Sequence, residues 1–264
     1  MTQKPPRDTD LVSDPRPAAV LTAYEARAAH FNETDPRDQY TYLYSKMRCD
    51  YTLMERIGVD NKDVLNIGCS FPIDELYYAR KVRRWTAVDI SPASLRAAQA
   101  IVANELHPQL AAKFTFQYGD ACALPFANDT FDLTLSMSTF DHLPSAAMRQ
   151  KAVDEMARTT KSEGYVIVTV ANWWCLPFAA GIWKMSREKT LPYGYAYLFS
   201  PPEIRRIGIQ AGLIPQHFAS SLAPPDVWLP GYPVLIRWPA HLLFQILRFA
   251  GYLGRRIGYA FLKP

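Results

Sequence analysis

The sequence predicts an α/β fold, a doubly wound and mostly parallel sheet with helices on both faces. Three observations carry that prediction. The run Asp63-Val-Leu-Asn-Ile-Gly-Cys-Ser-Phe-Pro72 is a short apolar stretch that breaks at Gly68 and leads into a helical stretch. A second apolar run, Ala87-Val-Asp-Ile-Ser91, ends in a carboxylate about twenty residues later, the arrangement by which such a domain takes a nucleoside: a close turn under the ligand and an acid for the ribose hydroxyls. Further along, Tyr165–Val170 is an almost unbroken β-branched run, as expected of a strand buried on both faces.

Each element follows from local signals. An Ala-rich helix is expected from Ala18 to Asn32, then a turn at Asn32–Pro36. A second helix is expected from Asp38 to Ile57, carrying Tyr40, Tyr42, Leu43, Met47, Tyr51, Leu53 and Met54. Then strands and helices alternate. Strands are expected at Val64–Ile67, Trp85–Ile90, Lys113–Tyr118, Phe131–Met137, Tyr165–Val170 and Leu213–Ser220. Helices are expected at Pro72–Val82, Ser91–Leu106, Ser145–Thr160 and Pro201–Ala211. Ser91-Pro92 supplies an N-cap and a first-turn proline, and Gly212 stands where a helix C-terminus favours glycine.

The chain has 264 residues, enough for one large domain with additions. We divide it into a polar lead-in (1–17), a helical cap (18–58), the α/β domain (59–222, with an insertion at 173–200) and a basic, apolar C-terminal extension (223–264). The lead-in has no apolar core, so no signal peptide is expected. The four cysteines, Cys49, Cys69, Cys122 and Cys175, lack ligand spacing. They are expected to be reduced thiols of a cytoplasmic protein, with no metal site.

The net charge is +4, but from Val227 onward there are five basic residues and no acid. Arg237 and Arg248 flank an uncharged stretch too short to span a bilayer. With its Trp and aliphatic residues it suits an interfacial helix, placing the protein peripherally at the inner face of a membrane. The other reading is a helix docked on the domain or in a homodimer contact. Nucleic acid is not expected, because the cations interleave with bulky apolar residues.

The loops after successive strands offer small or acidic groups on one sheet edge: Gly68–Pro72, Asp89, Gly119-Asp120-Ala121 and Ser136–His142. In VLNIGCS (64–70), VDIS (88–91), GDACALPFANDTFDLTLS (119–136), DHLP (141–144) and EMARTTKSEGYVIVTV (155–170), the chain resembles the class I S-adenosylmethionine-dependent methyltransferases. More narrowly, it is similar to the ubiquinone/menaquinone-biosynthesis branch.

The resemblance implies a seven-stranded Rossmann-like sheet, S-adenosylmethionine as cofactor and methyl transfer as activity. It also implies site residues. Gly68, with Asn66, Cys69 and Ser70, would pass under the methionine end. Asp89 and Ile90 would hold the ribose. Asp120 and Ala121 would read the adenine, and Ser136 and Met137 would flank the sulfonium. The first loop departs from the family pattern: Asn66 replaces its acid, and Ser70 and Pro72 replace two glycines. Asp74 or Glu75, in the next helix's first turn, would then substitute for that acid.

His142 stands where a base for a hydroxyl acceptor would sit, with Asp141 beside it. The bland reading is that both only cap the loop. Trp173, Trp174 and the following apolar residues would form an acceptor pocket, a membrane-facing lid or ordinary core. The function expected is methylation, on oxygen, of a small or lipid-linked acceptor near a membrane. Two other functions stay open: a soluble small-molecule or sugar methyltransferase that dimerises through the tail, and a non-catalytic scaffold.

Overall fold

The computed structural model describes residues 15–30, 48–221, 239 and 252–264. In chain order the elements begin with α1 (Arg16–Ala28), α2 (Arg48–Ile57), β1 (Asp63–Ile67), α3 (Ile73–Tyr78) and β2 (Arg84–Asp89). They continue with α4 (Pro92–Glu105), α5 (Pro108–Ala111), β3 (Phe114–Tyr118), β4 (Phe131–Met137) and the 3-10 turn Phe140–His142. The remainder is α6 (Ala146–Thr159), β5 (Thr160–Ala171), α7 (Leu176–Arg187), α8 (Pro201–Gln210), β6 (Ile214–Ser221) and β7 (Arg256–Leu262).

The sheet has seven strands in the order β3-β2-β1-β4-β5-β7-β6. β7 runs antiparallel to both its neighbours, and the other pairings are parallel. Strand order reverses between β1 and β4, so the crevice over their carboxyl ends is the switch point where ligands bind in such sheets. β1 is buried along its whole length. Leu65, Ile67, Val166 and Val168 belong to the core on one face, and Val64, Leu133, Leu135 and Ile167 to that on the other. Alternation along each strand sends successive side chains to opposite faces.

The helix starts follow the capping chemistry. Ser91, Ser145 and Ser200 each accept a backbone N–H three residues ahead, from Ser94, Met148 and Glu203. The helix expected to run to Val82 stops at Tyr78, because the chain turns with Lys81 N–H on Tyr78 O and then enters β2. Of the helix expected over 38–57, only Arg48–Ile57 falls within the described residues.

The extension expected over 223–264 is corrected at its far end. Arg256–Leu262 is strand β7, inserted between β5 and β6. Its five middle residues are buried, and Ile257 and Phe261 are fully so. Burial on both faces explains a run that reads as apolar without alternation. Two cations of this region have partners in the fold. Lys263 Nζ donates to Asp129 (2.6 Å) and to Thr160 O (2.7 Å), and the Arg255 guanidinium lies 4.4 Å from the centre of the Phe178 ring. The stretch from Arg237 to Arg248 lies outside the described residues, apart from residue 239. No helix among the described residues is long and apolar enough to cross a membrane.

Candidate functional site

Gly68 ends β1 at φ +75°, and Ser70 (φ +43°) and Ser138 (φ +63°) also lie in the left-handed region. A Cβ on Gly68 would meet Thr139 Oγ1 at 2.1 Å. Only glycine allows the Thr139 hydroxyl to donate to Ile67 O (3.0 Å) and so tie the loop after β4 to the loop after β1. The turn then presents its amides upward. Ser70 N–H donates to one oxygen of Asp89 (3.0 Å) and Ser91 N–H to the other (2.9 Å). Burial raises the Asp89 carboxyl above its usual range, and these N–H groups oppose the rise. Each oxygen keeps a lone pair for a further donor.

The residues expected around this turn divide by orientation. Asn66 is buried and turned into the core, where its amide donates to Glu75 Oε1 (2.9 Å) alongside the Trp85 indole N–H (3.0 Å). Burial pushes the Glu75 carboxyl up to about 7. Glu75 is therefore an internal anchor of β1 and β2. Asp74 is buried too, and its Oδ1 has no hydrogen-bond partner among the described residues. Cys69 is buried, and burial raises its thiol well above the usual range. Ser136 is fully buried, and its hydroxyl is taken up by Ile67 O (3.2 Å). Met137 is buried beneath the rim, and Ile90 is exposed beyond it. Asp120 Oδ1 accepts Cys122 N–H (2.8 Å), which shapes the turn after β3.

On the other side of the switch point, His142 Nδ1 lies 2.7 Å from Tyr195 O. A carbonyl can only accept, so Nδ1 carries the proton and Nε2 the free lone pair. Burial holds the imidazole below its usual pKa. Asp141 is not hydrogen-bonded to His142. Its Oδ1 accepts Ala171 N–H (2.8 Å), its carbonyl accepts Tyr197 N–H (2.6 Å), and its Oδ2 lies 3.7 Å from Arg256 Nη2. Tyr193, Tyr195 and Tyr197, an alternation suggesting a strand or an ordered loop, form the loop, and its backbone fixes Asp141 and His142.

α1 also reaches the site. Its Tyr24 is half-buried, edge-on to His142 (ring centres 5.4 Å) and stacked on Tyr193 (5.9 Å). Desolvation first, then Tyr193, raise its hydroxyl pKa well above the usual range, with smaller contributions from Asp89 and Asp141. A Cβ on Gly194 would meet Ala19 O at 2.8 Å, so α1 docks backbone to backbone on the 193–195 loop. Phe71 packs away from the crevice, with Ala28 and Ile101. Arg256 and Asp50, also at this rim, were missed because each is ordinary within its own segment and only the sheet order brings them together.

Residues 65–168 match a family model described as a methyltransferase domain. Ajmaline N-methyltransferase of Rauvolfia serpentina is 30% identical over 108 residues, 40% of this chain and 35% of that protein. The chloroplastic tocopherol O-methyltransferase of Arabidopsis thaliana is 31% identical over 115 residues, 43% of this chain and 30% of that protein. The chain thus spans about a third of the length of these curated relatives. Among solved structures, the methyltransferase in complex with the Haloferax volcanii Trm112 activator superposes with a TM-score of 0.64. It is 18% identical and covers 91% of this chain and 97% of its own.

The site fits S-adenosylmethionine, the family's cofactor. Asp89 has acceptor capacity for a diol, the turn at Gly68 brings backbone to the rim, and buried Asp74 Oδ1 lacks a donor that a cationic methionine end would supply. Residues 65–168 thus carry a methyltransferase domain, set in a sheet whose order and rim of carboxyl-edge loops are those of the class I S-adenosylmethionine-dependent methyltransferase fold.

Proposed function

We propose that the protein transfers a methyl group from S-adenosylmethionine to an oxygen of a small or lipid-linked acceptor. The observation that carries the reading is the Asp89 carboxylate. It sits at the switch-point rim, fixed by Ser70 and Ser91 N–H, with one lone pair per oxygen left for a ribose diol. Asp120 and Ala121 would hold the adenine, and Gly68, Cys69 and Ser70 would line the methionine end. The cofactor supplies an electrophilic methyl carbon.

The chain supplies position and a proton acceptor. His142 takes the acceptor's hydroxyl proton on Nε2, while Tyr195 O keeps the ring in the required tautomer. α1 and the 193–195 loop close over the crevice and exclude water. The matched relatives include an N- and an O-methyltransferase, so the choice of oxygen rests on the base and not on kinship.

Contact with a membrane surface is supported by the insertion. Trp173, Leu176 and Trp183 are 48%, 65% and 71% exposed, with Lys184 and Arg187 in the last turn of α7. Deleting residues 227–264 is not a usable test of this, because it would remove β7 from within the sheet. Co-sedimentation with anionic vesicles, comparing Trp183→Ser with the unaltered chain, is the appropriate one.

Calorimetry with S-adenosylhomocysteine tests the cofactor, and incubation of cell extracts with deuteromethyl-labelled cofactor tests the transfer. Binding and a labelled product are expected. No binding at millimolar ligand would favour a non-catalytic scaffold.

A further inference from the structure

Arg256 opens β7 at the carboxyl rim, near Asp141 and Asp50. Its Nη2 lies 3.7 Å from Asp141 Oδ2, beyond hydrogen-bond reach. Arg256 Nε and Nη2 are both buried and have no hydrogen-bond partner among the described residues. These two groups form the side-on edge of the guanidinium, the edge that can hold two oxygens at once. Asp50, near the start of α2, is fully buried. Its Oδ1 receives a long contact from the Cys49 thiol (3.6 Å), the Thr169 hydroxyl lies near enough to favour its charged form, and among the described residues its Oδ2 has no hydrogen-bond partner. A buried donor pair next to a buried open acceptor is costly unless a polar ligand completes it.

The charge balance narrows the ligand. Two carboxylates share one guanidinium here, which works against a carboxylate or phosphate on the ligand. Two open N–H groups work against a cation. A hydroxyl meets both needs, because it accepts from the guanidinium and donates to the carboxylate. Two adjacent hydroxyls would meet both N–H groups of the side-on edge and still donate to Asp50.

We propose that Arg256 and Asp50 hold a vicinal diol of the methyl acceptor and so determine its specificity. The inference rests on reading the His142 side of the crevice as the acceptor site. His142 follows Asp141 in the chain and lies within the electrostatic reach of Arg256, so the diol would lie beside the base.

Calorimetry on the full chain saturated with S-adenosylhomocysteine tests this, with catechol against phenol and methyl α-D-glucopyranoside against cyclohexanol. At least one diol is expected to bind at least tenfold more tightly than its single-hydroxyl counterpart. Preference for catechol assigns a phenolic source, and preference for the glucoside a sugar. Arg256→Lys and Asp50→Asn are each expected to lower diol affinity at least tenfold, with S-adenosylhomocysteine affinity within twofold of the unaltered chain.

Equal binding of diol and single hydroxyl overturns the proposal. So does a preference that survives both substitutions, or tighter binding of benzoate or benzylamine than of either diol. Each of these results, with S-adenosylhomocysteine bound, leaves the cofactor reading intact. Failure of S-adenosylhomocysteine to bind overturns that reading and this one with it.

Discussion

Replacing Gly68 by alanine tests the turn on which the crevice depends. The new Cβ would stand 2.1 Å from Thr139 Oγ1, 2.5 Å from its Cγ2 and 2.8 Å from its Cβ, at a φ of +75°. The left-handed backbone costs a non-glycine residue about 1–2 kcal/mol. Pushing Thr139 aside forfeits its bond to Ile67 O, worth about 1 kcal/mol. Gly68→Ala should therefore destabilise by roughly 2–3 kcal/mol and Thr139→Ala by about 1 kcal/mol. In the double variant both clashing outer atoms of Thr139 are gone and the bond is lost only once, so the costs should fall short of additive by about 1 kcal/mol. Urea midpoints for the four proteins measure this. Costs that simply add would show that the glycine serves something other than the approach of Thr139.

Asp89→Ala should weaken S-adenosylhomocysteine binding about 10- to 100-fold, the loss of one or two charge-assisted bonds, measured by calorimetry. An unchanged dissociation constant would refute its ribose role. His142→Ala should slow transfer to a hydroxyl acceptor while cofactor affinity stays constant. In the unaltered chain, kcat/KM should rise with pH through a value below the ordinary 6.5 of histidine, and the variant should lose that limb. Because the folded-state pKa of Glu75 is raised from 4.5 to about 7, its contribution to stability is full below pH 4.5 and is lost as pH rises through 7. Glu75→Gln should flatten that decline, at roughly 1.4 kcal/mol per pH unit, and an identical slope would deny the buried carboxyl its part. Asp63 is opposite in sign. Its paired guanidiniums, Arg83 first, depress it, so the modest cost of Asp63→Asn at pH 7 should shrink as pH falls below 3.8 and weaken in high salt.

The strands from β1 to β6 were legible because each is a short apolar run between breakers, and the serine caps mark three helices. β7 was not, since Arg256-Ile-Gly-Tyr-Ala-Phe-Leu262 carries cations at its border and no alternation. Only its insertion between β5 and β6 explains five consecutive buried residues. At the site, Asp89 and the Gly68 turn were legible because adjacent sequence builds them. The inward turn of Asn66 was not, because its partner Glu75 lies on α3 and the indole that shares that oxygen on β2. Nor could sequence show that Asp141 leaves His142 alone. That depends on the backbone of Ala171 and Tyr197, which any residue type would provide.

The placement of β7 ties assembly to competence. Until that strand slots into its gap, the twelve-residue β5 keeps a bare flank open to mispairing, and β6 has nothing to lie against. The same insertion delivers Arg256 to the rim. Completing the sheet and bringing Arg256 to the rim are thus one and the same step, and a chain lacking β7 in its place would have neither.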